Sequence, residues 1–107
     1  MPSNPWLKSL NLTAANTNYA LLTLMQALDK SAPPRACSIQ IQLDPSAGAA
    51  HLYIGNDDLS GTNCGVSLTA GQAMPFDTTP QNLVNLSQIQ LRSDTAGVQV
   101  NVKVLVQ

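Results

Sequence analysis

The chain contains no glutamate at all, and its acidic character rests on six aspartates against five lysines and arginines. Charged residues make up 10% of its 107 positions, against roughly a quarter in an average soluble domain. A surface built this way must be polar without being charged, and Asn, Gln, Ser and Thr carry that polarity. A formal net charge of -1 gives little long-range repulsion to hold copies or partners apart. The basic residues Lys8, Lys30, Arg35, Arg92 and Lys103 are scattered. No stripe could neutralise a run of phosphates, so nucleic acid is not an expected partner.

Other shortages remove further classes. Apolar runs are only a few residues long, far below the ~20 that span a bilayer as a helix, and the first residues show no basic-then-apolar leader. The expectation is a soluble protein made without secretion, with no membrane partner. A single histidine, His51, cannot by itself form a Ser-His-Asp triad or a three-ligand zinc site. His51 reads as a residue on the polar side of a strand, and no catalytic residue is expected. The glycines stand in turns and match no phosphate-cradling spacing, so no cofactor is implied.

Asn56-Asp57-Asp58 lacks the twelve-residue calcium-loop spacing and its closing Glu, so it reads as a turn and no metal is assigned. Nothing in the chain order brings Asp57, Asp77 and Asp94 together as paired acids. Cys37 and Cys64 have neither metal-finger nor redox-pair spacing. They read as two small buried hydrophobes, with a disulfide as the alternative. Asn11-Leu12-Thr13 and Asn85-Leu86-Ser87 match the glycosylation acceptor pattern, which carries no weight without a leader.

What is present is mostly strand periodicity. Residues 1–9, MPSNPWLKS, hold two prolines that favour extended backbone. They predict an arm in which Pro2, Pro5, Trp6 and Leu7 are candidate partner-docking residues, Trp6 seating on its own domain or on a neighbour. Leu10 and Leu12 alternate with Asn11 and Thr13 as a short strand. Leu21, Leu24, Met25 and Leu28 then fall at i, i+3, i+4, i+7 and predict one short α-helix near residues 18–29, capped from Asn16, Thr17 and Asn18 and stopped before Pro33-Pro34. A strand reading of the same stretch survives through Tyr19, Leu21 and Met25.

Beyond the prolines the period becomes two. Ile39, Ile41 and Leu43 alternate with glutamines up to Asp44-Pro45-Ser46-Ala47-Gly48. Ala50, Leu52 and Ile54 share a face opposite His51 and Tyr53, and the spacing predicts an antiparallel hairpin of these two strands. Val66 and Leu68 start another strand, which turns at Ala70-Gly71-Gln72 into a return through Met74 and Phe76. Ile89 and Leu91 precede a turn at Asp94-Thr95-Ala96-Gly97. Val98, Val100, Val102, Val104 and Val106 then form the clearest alternation of all, suited to a pleated half-buried surface.

Short strands punctuated by Gly, Pro, Asp and Asn indicate a mainly β fold. The expectation is an antiparallel β-sandwich or jelly-roll-like domain over residues 10–107, with one helix and an arm of residues 1–9.

The order of segments also carries a resemblance. LNLTAANTNYALLTLMQALD leads to RACSIQIQLD, then AAHLYIGNDDLSGTNCGVSLTAGQAMPFD, then NLSQIQLRSDTAGVQVNVKVLVQ. This series resembles small β-rich virion proteins of tailed bacteriophages, in the strand from Leu52 to Gly55, the hairpin from Gly65 to Gln72 and the ending from Leu86 to Val102. It covers most of residues 10–107 and has no catalytic residue in its pattern.

The resemblance implies a structural, non-enzymatic virion protein, in first place a capsid decoration (cement) protein. Its partners would be the major capsid protein or other virion proteins, and it would form a homo-oligomer, a trimer before other states. A head-tail adaptor or tail component is the alternative within that class. A carbohydrate-binding module is the alternative outside it, with Asn56 to Asn63 lining a groove and only Trp6, Tyr19, Tyr53 and Phe76 available for stacking.

Overall fold

The computed structural model describes residues 6–56, 58–60, 62, 63, 65–78 and 82–105. Along them run β1 (Trp6–Leu12), β2 (Tyr19–Ala20), the helix α1 (Leu21–Leu28), β3 (Arg35–Ala36), β4 (Ser38–Leu43), β5 (His51–Gly55), β6 (Val66–Thr69), β7 (Ala73–Asp77), β8 (Val84–Asn85), β9 (Gln90–Ser93) and β10 (Val98–Leu105). The protein is mainly β, with antiparallel sheets and one helix, as the turn spacing and alternation predict.

The pairing is nested. β5 pairs with β6, β4 with β7, β3 with β8, β2 with β9 and β1 with β10, all antiparallel. The chain is therefore one long two-stranded ribbon that turns back after β5. Rolling the ribbon adds β4 against β10 and β5 against β9. Two four-stranded sheets result, β1-β10-β4-β7 and β2-β9-β5-β6. A wound ribbon that divides its strands this way between two layers is the jelly-roll arrangement.

Alternation decides which side of each strand faces the other layer. Val98, Val100, Val102 and Val104 are buried between Leu10 and Leu12 of β1 and Ile39, Ile41 and Leu43 of β4. From the second sheet Leu52, Ile54, Leu68 and Leu91 close on them, and Leu21 and Met25 of α1 complete the cluster. Val106 lies outside the described residues. Among the described residues Ser93 is the one buried polar residue. Its hydroxyl accepts the Thr95 N–H at 3.1 Å, which satisfies it.

Three expectations are corrected. Ile39–Leu43 and Ala50–Ile54 do not form a hairpin, because β4 lies in one sheet and β5 in the other. The segment between them is a 3-10 turn over Pro45–Ala47, started by Asp44, whose carboxylate accepts the Ser46 N–H at 3.0 Å. It carries the chain across the ~10 Å between layers instead of reversing it within one. β6 and β7 part in the same way. The Gly71 N–H donates to the Leu43 carbonyl and the Leu43 N–H to the Gln72 carbonyl, so the turn hands the chain over to β4.

The second correction concerns the arm. β1 begins at Trp6 and pairs with β10 along its whole length, Trp6 opposite Val104. Trp6 shares the inward side with Leu10 and Leu12 and is only 9% exposed. Its indole Nε1–H donates to Asp29 Oδ2 at 3.0 Å, tying the start of β1 to the end of α1. Residues 6–9 thus belong to the sheet, while Pro2 and Pro5 lie outside the described residues.

The expected helix is present and runs from Leu21 to Leu28, with Leu21 and Met25 buried and Leu28 55% exposed; the third correction concerns its cap. No side chain caps its start: Ala20 is the N-cap, and the Leu21 N–H instead donates to the Ile89 carbonyl, prolonging the β2–β9 ladder. The expected capping residues are engaged elsewhere. The Asn16 N–H donates to the Ser93 carbonyl, and the Asn18 amide donates to the Leu59 carbonyl and accepts from Arg92.

Cys37 is a free, half-buried thiol whose Sγ lies 3.5 Å from the Leu105 carbonyl oxygen. Cys64 lies outside the described residues. Gly65 is required by close approach: its φ is +60° and a Cβ there would stand 2.2 Å from the Ile54 carbonyl oxygen. Only glycine satisfies both conditions.

Candidate interaction surface

Because the inward residues of β1, β10, β4 and β7 are spent on the core, the residues between them make a continuous outer face. The register sets them in rows. Leu7, Lys103, Gln40 and Pro75 lie side by side, and next to them Ser9, Asn101, Gln42 and Ala73. Directly opposite positions in antiparallel strands hold their Cβ atoms about 5 Å apart, near enough for short polar side chains to bond.

They do bond. Ser9 Oγ donates to Asn101 Oδ1 at 2.7 Å, and Asn101 Nδ2 donates to Gln42 Oε1 at 3.1 Å and to Asp44 Oδ1 at 3.0 Å. Gln42 Nε2 continues to the Gly71 carbonyl at 3.2 Å. One chain of hydrogen bonds therefore runs from β1 through β10 and β4 to the β6–β7 turn. It fixes the orientation of the amides.

Above this layer lies a shallow hollow of about 520 Å³, lined among others by Leu7, Ser9, Gln40, Gln42, Asn101 and Lys103. Leu7 is 58% exposed, the largest exposed apolar side chain on this face. Asp44 closes one end of the polar row. Hydrogen bonds from the Ser46 hydroxyl, then from Asn101 and the Ser46 N–H, hold its carboxyl below the usual carboxylate range. It therefore accepts from Asn101 as an ion at neutral pH.

The predicted docking residues are split by this geometry. Leu7 lies on the rim of the hollow, whereas Trp6 points into the core. Nothing in the notation of alternation alone reveals the hollow, but outward amides at Gln40, Gln42 and Asn101 are visible in the sequence once the inward row is assigned.

The chain matches no family model and no curated protein sequence. Its own geometry therefore carries the functional reading.

The opposite outer face carries the lone histidine. His51 Nδ1 lies 2.9 Å from Asp94 Oδ2, and the His51 N–H donates to Asp94 Oδ1 at 2.9 Å. Asp94 is held below the usual carboxylate range, first by that backbone N–H and further by the His51 ring and the Thr95 hydroxyl, against the opposing effect of partial burial. The sequence does not show this pair directly. The register does, since Leu52 opposite Ser93 brings position 51 beside position 94.

The side chains of the acidic loop are engaged with backbone carbonyls. Asn56 Nδ2 donates to the Gln88 carbonyl and Asn63 Nδ2 to the Asp58 carbonyl, while Asp57 lies outside the described residues. Among the described residues no three His, Cys or Asp side chains are grouped to hold a metal ion. Asn85 of the second glycosylation-like triplet accepts both the N–H and the hydroxyl of Ser87, starting a 3-10 turn.

Proposed function

We propose that the protein is a structural virion component, in first place a capsid decoration protein that docks on an assembled shell through the outer face of the β1-β10-β4-β7 sheet. The observation that carries this reading is the hydrogen-bonded amide row Ser9–Asn101–Gln42–Asp44 beside exposed Leu7 and the hollow. Two arguments support it. A face of amides already fixed by one another loses little side-chain freedom on contact, which is a principal cost of association. A protein with a net charge of -1 also meets little repulsion when many copies are crowded on one surface. The resemblance of most of residues 10–107 to small phage virion proteins suggests the class of partner, the major capsid protein or other virion proteins, and a trimer as the assembled form.

The test is binding of the purified chain to expanded heads lacking it. The expected result is saturable binding at hundreds of copies per particle, with heads that withstand heat and low salt better. Gln42→Lys combined with Asn101→Asp should weaken binding at least tenfold while the chain stays folded. Six or twelve copies per particle would move the protein to the head-tail junction or tail, and no binding to any virion part would remove the reading.

A further inference from the structure

Among the described residues, β1 and β7 each lack a neighbouring strand on one side of their sheet, and the ladder bonds decide what each edge offers. The Thr78 N–H donates to the Cys37 carbonyl and the Leu43 N–H to the Gln72 carbonyl. Met74 and Phe76 therefore spend their backbone groups on β4, and Ala73, Pro75 and Asp77 turn theirs outward. Pro75 has no N–H to give, which blunts the middle of the β7 edge against another strand.

The β1 edge is open. The Asp44 N–H donates to the Gln99 carbonyl, which turns the odd positions of β10 toward β4 and the even ones toward β1. Lys8 and Leu10, opposite Val102 and Val100, are thus bonded to β10, while Leu7, Ser9 and Asn11 direct their N–H and C=O groups away from the sheet. Apolar surface flanks these groups on both sides. Leu7 is exposed on the outer face, and Leu28 of α1 is exposed on the inner side. Between α1 and β1 runs a groove of about 280 Å³, lined by Ser9, Leu10, Asn11, Leu24, Ala27 and Leu28.

We propose that β1 pairs antiparallel with β1 of a second copy about a two-fold axis at Ser9, joining two four-stranded sheets into one. The register selects this axis. With Ser9 opposite its counterpart, Leu7 falls opposite Asn11 and Asn11 opposite Leu7, so every outward residue exchanges both ladder bonds. Lys8 then faces Leu10 of the other copy. A slip of two residues toward the N-terminus would set the two lysines against each other, which their like charge opposes. The axis stands perpendicular to the sheet, so both α1 helices lie on one side of the seam, where Leu24 and Leu28 of each copy line the joined groove. Both amide faces lie on the other side.

A second copy is the occupant because its β1 matches this edge and the other free edges do not: β2 has two residues, β6 has four, and β7 is interrupted by Pro75. The net charge of -1 sets little repulsion between copies. Two-fold pairing uses up both β1 edges, so the association closes at two copies. It is independent of the virion reading, and where the resemblance suggests a trimer this edge gives a dimer.

The experiment is sedimentation equilibrium of the full chain from about 5 to 500 μM, a range that spans micromolar affinities. The mass should rise with concentration from 11.3 kDa toward twice that value. Over the same range amide exchange should slow at Leu7, Ser9 and Asn11 and stay fast at Ala73 on the β7 edge. Asn11→Pro removes an N–H that the β10 ladder does not use, and Leu28→Lys sets cations across the seam at an exposed position. Each should raise the dissociation constant at least tenfold. Gln42→Lys combined with Asn101→Asp should leave it unchanged, so this proposal and the shell-docking reading fail separately. If Asn11→Pro does not fold, Leu28→Lys decides alone. A single-copy or three-copy mass, exchange at the β1 edge that ignores concentration, or a folded variant that associates like the parent overturns the proposal.

Discussion

The two outer faces of this sandwich stand on the same core and obey the same alternation, yet they have opposite characters. The β1-β10-β4-β7 face is a sheet of amides bonded to one another, with Leu7 exposed beside them. The β2-β9-β5-β6 face carries two near-parallel rings with a His-Asp pair at one end. The inward residues are mainly aliphatic in both sheets, so the core dictates a sandwich and nothing more. What distinguishes the two faces is written in every second residue.

The largest expected effect removes the ground under both faces. Val102 is 3% exposed in the middle of β10, and Val102→Asp buries a charge with no partner, a change severe enough to abolish folding. Loss of the cooperative melting transition in circular dichroism is the expected readout. A native-like melt would show that the valine row is not the shared core.

Next comes the junction of β1 with α1. Trp6→Ala should cost about 3–5 kcal/mol, as for other large aromatic truncations. Trp6→Phe retains the packing and should cost about 1 kcal/mol for the lost bond to Asp29. Urea midpoints order the two variants, and equal midpoints would refute an internal role for the indole.

Asn101→Ala removes the central link of the amide row and should cost about 1 kcal/mol. Its test is a comparison of faces: binding to shells should fall while the His51 and Tyr53 amide signals stay in place. Movement of both sets would show that the faces are coupled.

The smallest effect is acid dependence. Asp94 binds its proton more weakly in the folded state than at its ordinary value of 3.8. The stability it contributes is therefore present above that value and is lost as pH falls through the lower folded one. Being partly exposed, the carboxylate is screened, and its share should be below about 1 kcal/mol. Asp94→Asn should flatten the stability profile below about pH 4, while binding at the amide face stays the same. An unaltered acid profile would mean that the His51 contact adds nothing to folding.

Much of this architecture is legible in the residues. Ile39, Ile41 and Leu43, the row from Val98 to Val104, and the trio Ala50, Leu52 and Ile54 face the interior as their alternation predicts. Alternation, however, says which side of a strand is buried and is silent about which sheet the strand joins. For that reason β4 and β5 read as a hairpin although they lie in separate layers. The prolines ahead of Trp6 suggest an arm, but the inward parity of Trp6 with Leu10 and Leu12 outweighs them. The pair of His51 with Asp94 was out of reach, since it depends on the β5–β9 register and no local spacing encodes a register between distant segments.

The nested ribbon has a consequence for how the protein comes to be folded. Closing β5 on β6 joins segments near in sequence, whereas β1 and β10 come from opposite ends of the chain. Loop entropy makes the short closure the cheaper first step, and each closure shortens the loop that remains for the next. The order of assembly should therefore run outward from the β5–β6 turn, with Trp6 and Val104 meeting last. Pulse-labelled hydrogen exchange would show amides of β5 and β6 protected before those of β1, and simultaneous protection would rule out such zippering. A chain that seals its two ends last exposes the long β1 and β10 edges during synthesis, so crowding of nascent chains is the stage at which this protein is most open to mispairing with its own copies.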